Sequence, residues 1–248
     1  NQGSIEVAIW ADIALGFEDG DSNIATAVTS RRGSVNWTLT VKGKPAHSSQ
    51  IFTDENGDGA IFEAARILNE FRVQLRHEKL LTFNPGLIAG GTRVTQQGDK
   101  SNYGVFGKTN VIAKDTLVKG GIRAVSPEQL EQAKAMMQTI VSQNLRHTSA
   151  ILEFQPGYPP MAQTPANLNL LALYSRVSED LGYGIITAVD PRNAGAADIS
   201  FAASHVDMSL DGLGLMGSGG HTKDEVADMS SLAKNMKKAA ILIYRLSQ

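Results

Sequence analysis

The chain has 248 residues, 42% of them hydrophobic, with 24 Gly and 8 Pro, which is enough for one large or two medium domains. Its 23 Lys and Arg nearly balance 25 Asp and Glu, so the charge gives no reason to expect nucleic acid or an anionic membrane surface as a partner. It contains no cysteine, which excludes disulfides and thiolate metal sites and fits cytoplasm and periplasm equally, and no apolar run approaches the length of a bilayer span.

Residues 5–18 are apolar and lead into an acidic cluster, Glu18, Asp19 and Asp21. The pattern predicts the end of a helix and then a buried strand over 13–17. Carboxylates at the end of a buried strand suit a metal ion that takes oxygen ligands. A solvated Asp-Gly-Asp-Ser turn is the other reading. Over 34–42, Val35, Trp37, Leu39 and Val41 alternate with polar residues, the period of a strand with one buried face. That strand runs into Lys42-Gly43-Lys44-Pro45-Ala46-His47-Ser48-Ser49. His47 is therefore expected just past a rigid strand, held yet reachable. Residues 54–59 begin like a calcium loop, but the twelfth place is Ala65, where a bidentate carboxylate belongs. A polar loop capping the next helix is the preferred reading.

That helix is expected over 60–75, with Ile61, Ala64, Leu68, Phe71 and Leu75 on one face. Strand-like runs follow at 80–89 and, with interruptions, at 103–123, separated by a polar loop over 90–102. Ser126-Pro127-Glu128-Gln129 reads as a helix start, and Leu130, Ala133, Met137, Ile140 and Val141 form the buried face. Residues 148–154 read as another strand. The order from 34 to 155 is β-α-β-β-α-β, a ferredoxin-like arrangement.

Beyond Pro156-Gly157-Tyr158-Pro159-Pro160 the texture changes. A helix is expected from Thr164-Pro165 to about Leu181, then a strand over 185–189. A small-residue loop at 193–198 leads into a helix through Ser204. An apolar strand over 210–216 ends in Gly217-Ser218-Gly219-Gly220-His221. A last helix is capped by Ser230 or Ser231, with Leu232, Met236, Ala240 and Ile243 facing inward. Alternating strands and helices suggest part of an α/β domain with a parallel sheet. Sites in such sheets form at the carboxyl ends of strands, where His221 falls. His77, His147 and His205 read as ordinary surface or structural histidines.

Five stretches in order are GFED at 16–19, VKGKPAHSS at 41–49, TNVIAKDTLVKGGIR at 109–123, GAAD at 195–198 and GLGLMGSGGHTKDE at 212–225. Together they resemble the di-zinc metallopeptidase family of glutamate carboxypeptidases, aminoacylases and succinyl-diaminopimelate desuccinylases. The resemblance implies an α/β zinc-peptidase catalytic domain at 1–33 and 156–248, interrupted by a ferredoxin-like lid and dimerisation domain at 34–155. It also implies a homodimer formed through the lid. By the same resemblance, Glu18 and His221 would be zinc ligands. His47 would be the lid histidine that reaches the partner's active site and steadies an oxyanion. Asn110 and Arg123 would hold substrate, the Arg suiting a carboxylate. The loop from Gly195 to Asp198 would be a substrate loop, with Ala196 and Ala197 where glycine is usual.

The activity so implied is zinc-dependent hydrolysis of an amide next to a carboxylate, on a small peptide or an N-acyl amino acid. In the family, the remaining zinc ligands and the carboxylate base precede the strand that ends at Glu18. Residues 1–4 hold none of them. The chain is therefore expected to be the lid plus the C-terminal catalytic half of a longer enzyme. The alternative is a non-catalytic dimerisation or binding module that keeps the fold without a complete metal site.

Overall fold

The computed structural model describes residues 12–19, 23–98, 101–220 and 222–248. In chain order the elements are β1 (Ile13–Leu15), β2 (Thr26–Ala27), β3 (Ser34–Gly43), α1 (Gly59–Leu75), β4 (Thr82–Gly91), β5 (Arg93–Gln96), β6 (Tyr103–Phe106), β7 (Asp115–Arg123) and α2 (Pro127–Val141). They continue as β8 (Thr148–Tyr158), α3 (Pro165–Asp180), β9 (Thr187–Ala188), α4 (Ile199–Ala202), β10 (Met208–Leu210), β11 (Gly217–Ser218), β12 (Val226–Ala227) and α5 (Met229–Leu246). They divide between two units. One comprises Val35–Arg123 and Glu128–Gly157, the other Asn1–Ser34, Ala124–Pro127 and Tyr158–Gln248.

The first unit, the lid, is built on a four-stranded sheet in the order β4-β7-β3-β8. With α1 and α2 between its strands in sequence, this is the ferredoxin-like arrangement. β7 runs antiparallel to both β3 and β4. The alternation in β3 places Trp37, Leu39 and Val41 in the core. Trp37 meets Phe71 of α1 edge to face, with ring centroids 6.0 Å apart. Opposite Trp37 across the ladder is Gly120. A Cβ there would lie 2.3 Å from the indole, so the indole occupies the space a side chain would need. The buried face of α2 is the expected set of Leu130, Ala133, Met137, Ile140 and Val141.

Three expectations within this unit are corrected. α1 buries Ala60, Glu63, Ala64, Ile67, Phe71 and Leu75, while Ile61 is exposed and Leu68 only half-buried. The helix is turned toward Glu63 because that carboxylate is satisfied inside: it takes Arg66 at 2.8 Å and the backbone N–H of Leu145 at 3.2 Å. The expected loop over 90–102 contains β5, which pairs antiparallel with β6. Asp58 precedes α1 but makes no side-chain capping bond. Instead the Ala60 N–H donates to the Ala113 carbonyl at 2.9 Å. The polar loop before α1 is tied to the end of α2's connection, with Asp54 paired to Arg146.

The second unit packs around α3. Thr164 caps that helix, accepting from the Asn167 N–H at 3.1 Å. Its Leu170, Leu171, Tyr174 and Val177 form a core with Ala27, Ile186, Leu210, Leu213 and Leu242. Two parallel pairs, β1 with β10 and β2 with β9, lie in this unit. The strand expected over 13–17 is shorter, Ile13–Leu15, and the helix end expected before it falls largely outside the described residues.

Two further corrections belong here. The expected strand over 210–216 is instead β10, ending at Leu210. Asp228, not Ser230 or Ser231, caps α5, accepting from the Ser230 N–H at 2.9 Å. That helix buries Ser231, Asn235, Lys238, Ala239 and Leu242, whereas Leu232, Met236, Ala240 and Ile243 lie exposed.

Candidate functional site

In the lid, β3 ends at Gly43, whose N–H donates to the Lys114 carbonyl at 2.8 Å. The chain then crosses to the segment before β7. The Ile112 N–H donates to the Ala46 carbonyl at 2.9 Å, and the Ser48 N–H donates to the Asn110 carbonyl at 2.9 Å. These bonds make the antiparallel bridge between His47 and Val111. His47 and Asn110 are therefore brought together by backbone bonds at one end of the sheet. The imidazole is exposed, and its Nδ1 lies 3.2 Å from the Ser49 N–H and 2.8 Å from the Ser49 hydroxyl.

Arg123 stands at the opposite end of β7, paired with Thr82. The strand from Asp115 to Arg123 covers about 27 Å at ~3.4 Å per residue. One lid does not bring His47 and Arg123 to a common point.

In the other unit, Glu18 follows β1 and is half exposed. Its carboxylate lies 4.0 Å from Arg31 Nη2. Arg31 is nearly buried and spends its guanidinium on Asp211, with Nε and Nη2 each 2.9 Å from Oδ2. Asp211 is wholly buried. Its Oδ1 accepts from the Gly212 N–H at 2.7 Å and, more weakly, from the Glu18 N–H at 3.4 Å. The pair thus fixes the backbone from which Glu18 projects. Gly16 is required beside it, since a Cβ there would lie 2.1 Å from Asp211 Oδ1. Arg31 and Asp211 were missed in the sequence. The signal was a charged residue at the end of an apolar run, hidden because the strand was carried past Leu210.

Asp198 is exposed and accepts from the Tyr158 hydroxyl at 3.0 Å. The Tyr158 ring packs on Phe201 at 5.1 Å. The hydrogen bond to Asp198, with the negative charges of Asp198 and Glu18, pushes the Tyr158 phenol above its ordinary pKa. Gly195 is exposed, and a Cβ there would meet nothing within 4 Å, so crowding does not demand glycine at this place. His221 lies outside the described residues; on either side of it β11 and β12 pair antiparallel.

Among the described residues no three His, Asp or Glu side chains come close enough together to hold a metal ion. Glu18 is available, but Asp211 is spent on Arg31 and Asp198 takes the Tyr158 hydroxyl. The described residues do not by themselves form a zinc site, and no chemical step is routed through one.

Residues 29–149 match the family model described as a peptidase dimerisation domain, M20_dimer. The fold resembles that of aminopeptidase PepT from Bacillus cereus, at 20% identity and a TM-score of 0.72, covering 96% of this chain and 58% of that one. It resembles a tripeptidase from Staphylococcus aureus at 18% identity and a TM-score of 0.60, covering 94% and 56%. An amidase of the hydantoinase/carbamoylase family from Burkholderia phymatum gives 14% identity and a TM-score of 0.59, covering 94% and 54%. The chain thus spans a little over half the length of these structures. No curated protein matches it in sequence.

Proposed function

We propose that this chain, whose residues 29–149 match the M20 peptidase dimerisation domain, is part of an M20 peptidase and takes part in zinc-dependent hydrolysis of an amide bond next to a carboxylate. The substrate class is a small peptide or an N-acyl amino acid, as for a carboxypeptidase or a deacylase. Glu18 and His221 contribute to a metal site whose other ligands come from outside these 248 residues. Zinc, when bound, would activate water and polarise the amide carbonyl.

The observation that carries this reading is the lid's arrangement. His47 is exposed at one end of the sheet, beside Asn110, with a ring nitrogen free to donate toward an oxyanion. Arg123, at the other end, offers a planar fork to the substrate carboxylate. Because about 27 Å of strand separates them, the lid suits a homodimer. One chain supplies His47 and Asn110, the other Arg123. The outer strands β4 and β8 are the edges through which two lids would extend a common sheet. Gly195 and Asp198 form the substrate loop, with Asp198 steadied by Tyr158.

The full-length protein, assayed on dipeptides, tripeptides and N-acyl amino acids, is expected to lose hydrolysis on chelation and recover it with zinc. His47→Gln is expected to cost about 10²–10³ in kcat while pairing persists. Absence of hydrolysis over the whole panel, with a dimer still present by sedimentation, would instead favour a non-catalytic dimerisation module.

A further inference from the structure

His47 caps the 3-10 turn Ser48–Gln50, and the cap is made by its side chain. Such a cap is ordinarily a Ser, Thr, Asp or Asn oxygen that accepts from a backbone N–H. Here the acceptor is imidazole Nδ1, and the donor is the Ser49 N–H at 3.2 Å. A backbone N–H can only donate. Nδ1 must therefore present its lone pair, and the proton of the neutral ring must sit on Nε2. The Ser49 hydroxyl, 2.8 Å from the same nitrogen, can donate to it as well. Around this contact the backbone is fixed on both sides: the Gln50 N–H donates to the His47 carbonyl at 2.9 Å, and the Ser48 N–H donates to the Asn110 carbonyl at 2.9 Å. Among the described residues Nε2 has no partner, and the ring is exposed.

We propose that Ser49 is a positioning residue that locks His47 in the Nε2–H tautomer, with that N–H turned outward as a ready hydrogen-bond donor. The inference rests on the reading of His47 as an oxyanion donor and supplies what that role requires. A donor that already has its proton on the correct nitrogen and its ring held by the turn needs no reorganisation when charge develops. A ring free to exchange tautomers would present a lone pair to the oxyanion part of the time. The lid Asn110 enters the same device through its carbonyl, which anchors Ser48. It therefore serves His47 by backbone, whatever its side chain does to substrate.

The test is long-range 1H–15N correlation spectroscopy on the intact protein labelled at histidine, above the imidazole pKa, with His47 assigned by its disappearance in His47→Gln. The wild type is expected to show the Nε2–H form alone. Ser49→Ala, which keeps the backbone donor, should retain it. Ser49→Pro, which removes the N–H, should bring in a population with the proton on Nδ1 and lower kcat about tenfold, less than the loss of the donor itself. A wild-type ring with a protonated Nδ1, or a Ser49→Pro spectrum identical to wild type, overturns the proposal. If Ser49→Pro does not fold, the wild-type spectrum decides alone. A locked Nε2–H ring in a protein whose His47→Gln variant hydrolyses at full rate would sink the oxyanion reading and leave the positioning of the ring standing.

Discussion

Two helices, α2 of the lid and α5 of the other unit, bury different kinds of surface. In the lid, α2 turns its apolar seam inward just as its sequence period indicates, burying Leu130, Ala133, Met137 and Ile140. In the other unit, α5 leaves Met236 and Ile243 63% and 50% exposed and buries Ser231, Asn235 and Lys238. Each of these three buried polar residues of α5 makes at least one bond to backbone outside the helix. Ser231 Oγ donates to the Asp228 carbonyl and accepts from the Met216 N–H. Asn235 donates to the Gly214 carbonyl. Lys238 Nζ donates to the Ile24 carbonyl at 2.8 Å and lies 5.0 Å over the Tyr174 ring. In α2 the apolar stripe sets the orientation. In α5, which also sets Leu242 in the core beside α3, backbone carbonyls and N–H groups of neighbouring irregular segments share in setting it.

The contrast is tested most strongly in the lid core. Trp37→Ala removes a wholly enclosed ring packed on Phe71 and should cost about 3–5 kcal/mol, read from urea unfolding followed by circular dichroism. A loss below about 1 kcal/mol would mean that the lid does not depend on its apolar seam.

A smaller effect is expected at the mooring of α5, and it appears as a pH slope. Burial, helped by the charge of Lys234, lowers the Lys238 pKa from 10.5 to about 8. Between these values the unfolded chain holds more proton than the folded one, so stability from this group rises with pH. Below about pH 8 the penalty of the buried charge is fully present; it is relieved as pH climbs from 8 toward 10.5. Wild type should therefore gain on Lys238→Met across that window in paired thermal melts. Parallel curves for the two proteins would count against a buried ammonium.

The smallest effect is expected from Met236→Lys. The sequence pattern places this residue in a core, where a lysine would be severely destabilising. The structure exposes it, so the change should stay within about 0.5 kcal/mol in the same melts. A loss of several kcal/mol would show that this face is covered.

Legibility in the sequence followed the same division. The alternation of Val35, Trp37, Leu39 and Val41 was enough to define β3 and its buried side, because one neighbouring residue on each side decides a period of two. The Thr164-Pro165 cap of α3 was equally plain. Arg31 and Asp211 were not, because their pairing joins residues 180 apart in the chain, and nothing local distinguishes a buried aspartate from a turn aspartate. The rotation of α1 toward Glu63 has the same cause in part: beside Arg66 on the same helix, its other partner, Leu145, lies 82 residues away, beyond α2.

By itself the sequence determined the β-α-β-β-α-β order of the ferredoxin-like lid, the inward side of β3 and α2, and the placement of His47 beyond a strand. These follow from local periodicity and capping, which the chain carries within a few residues. Only the tertiary structure decided three things. α5 buries its polar side; Arg31 and Asp211 hold the backbone beneath Glu18; and Ser49 closes on Nδ1 of His47. Each depends on satisfying a buried or directed polar group with a partner whose position no local pattern encodes.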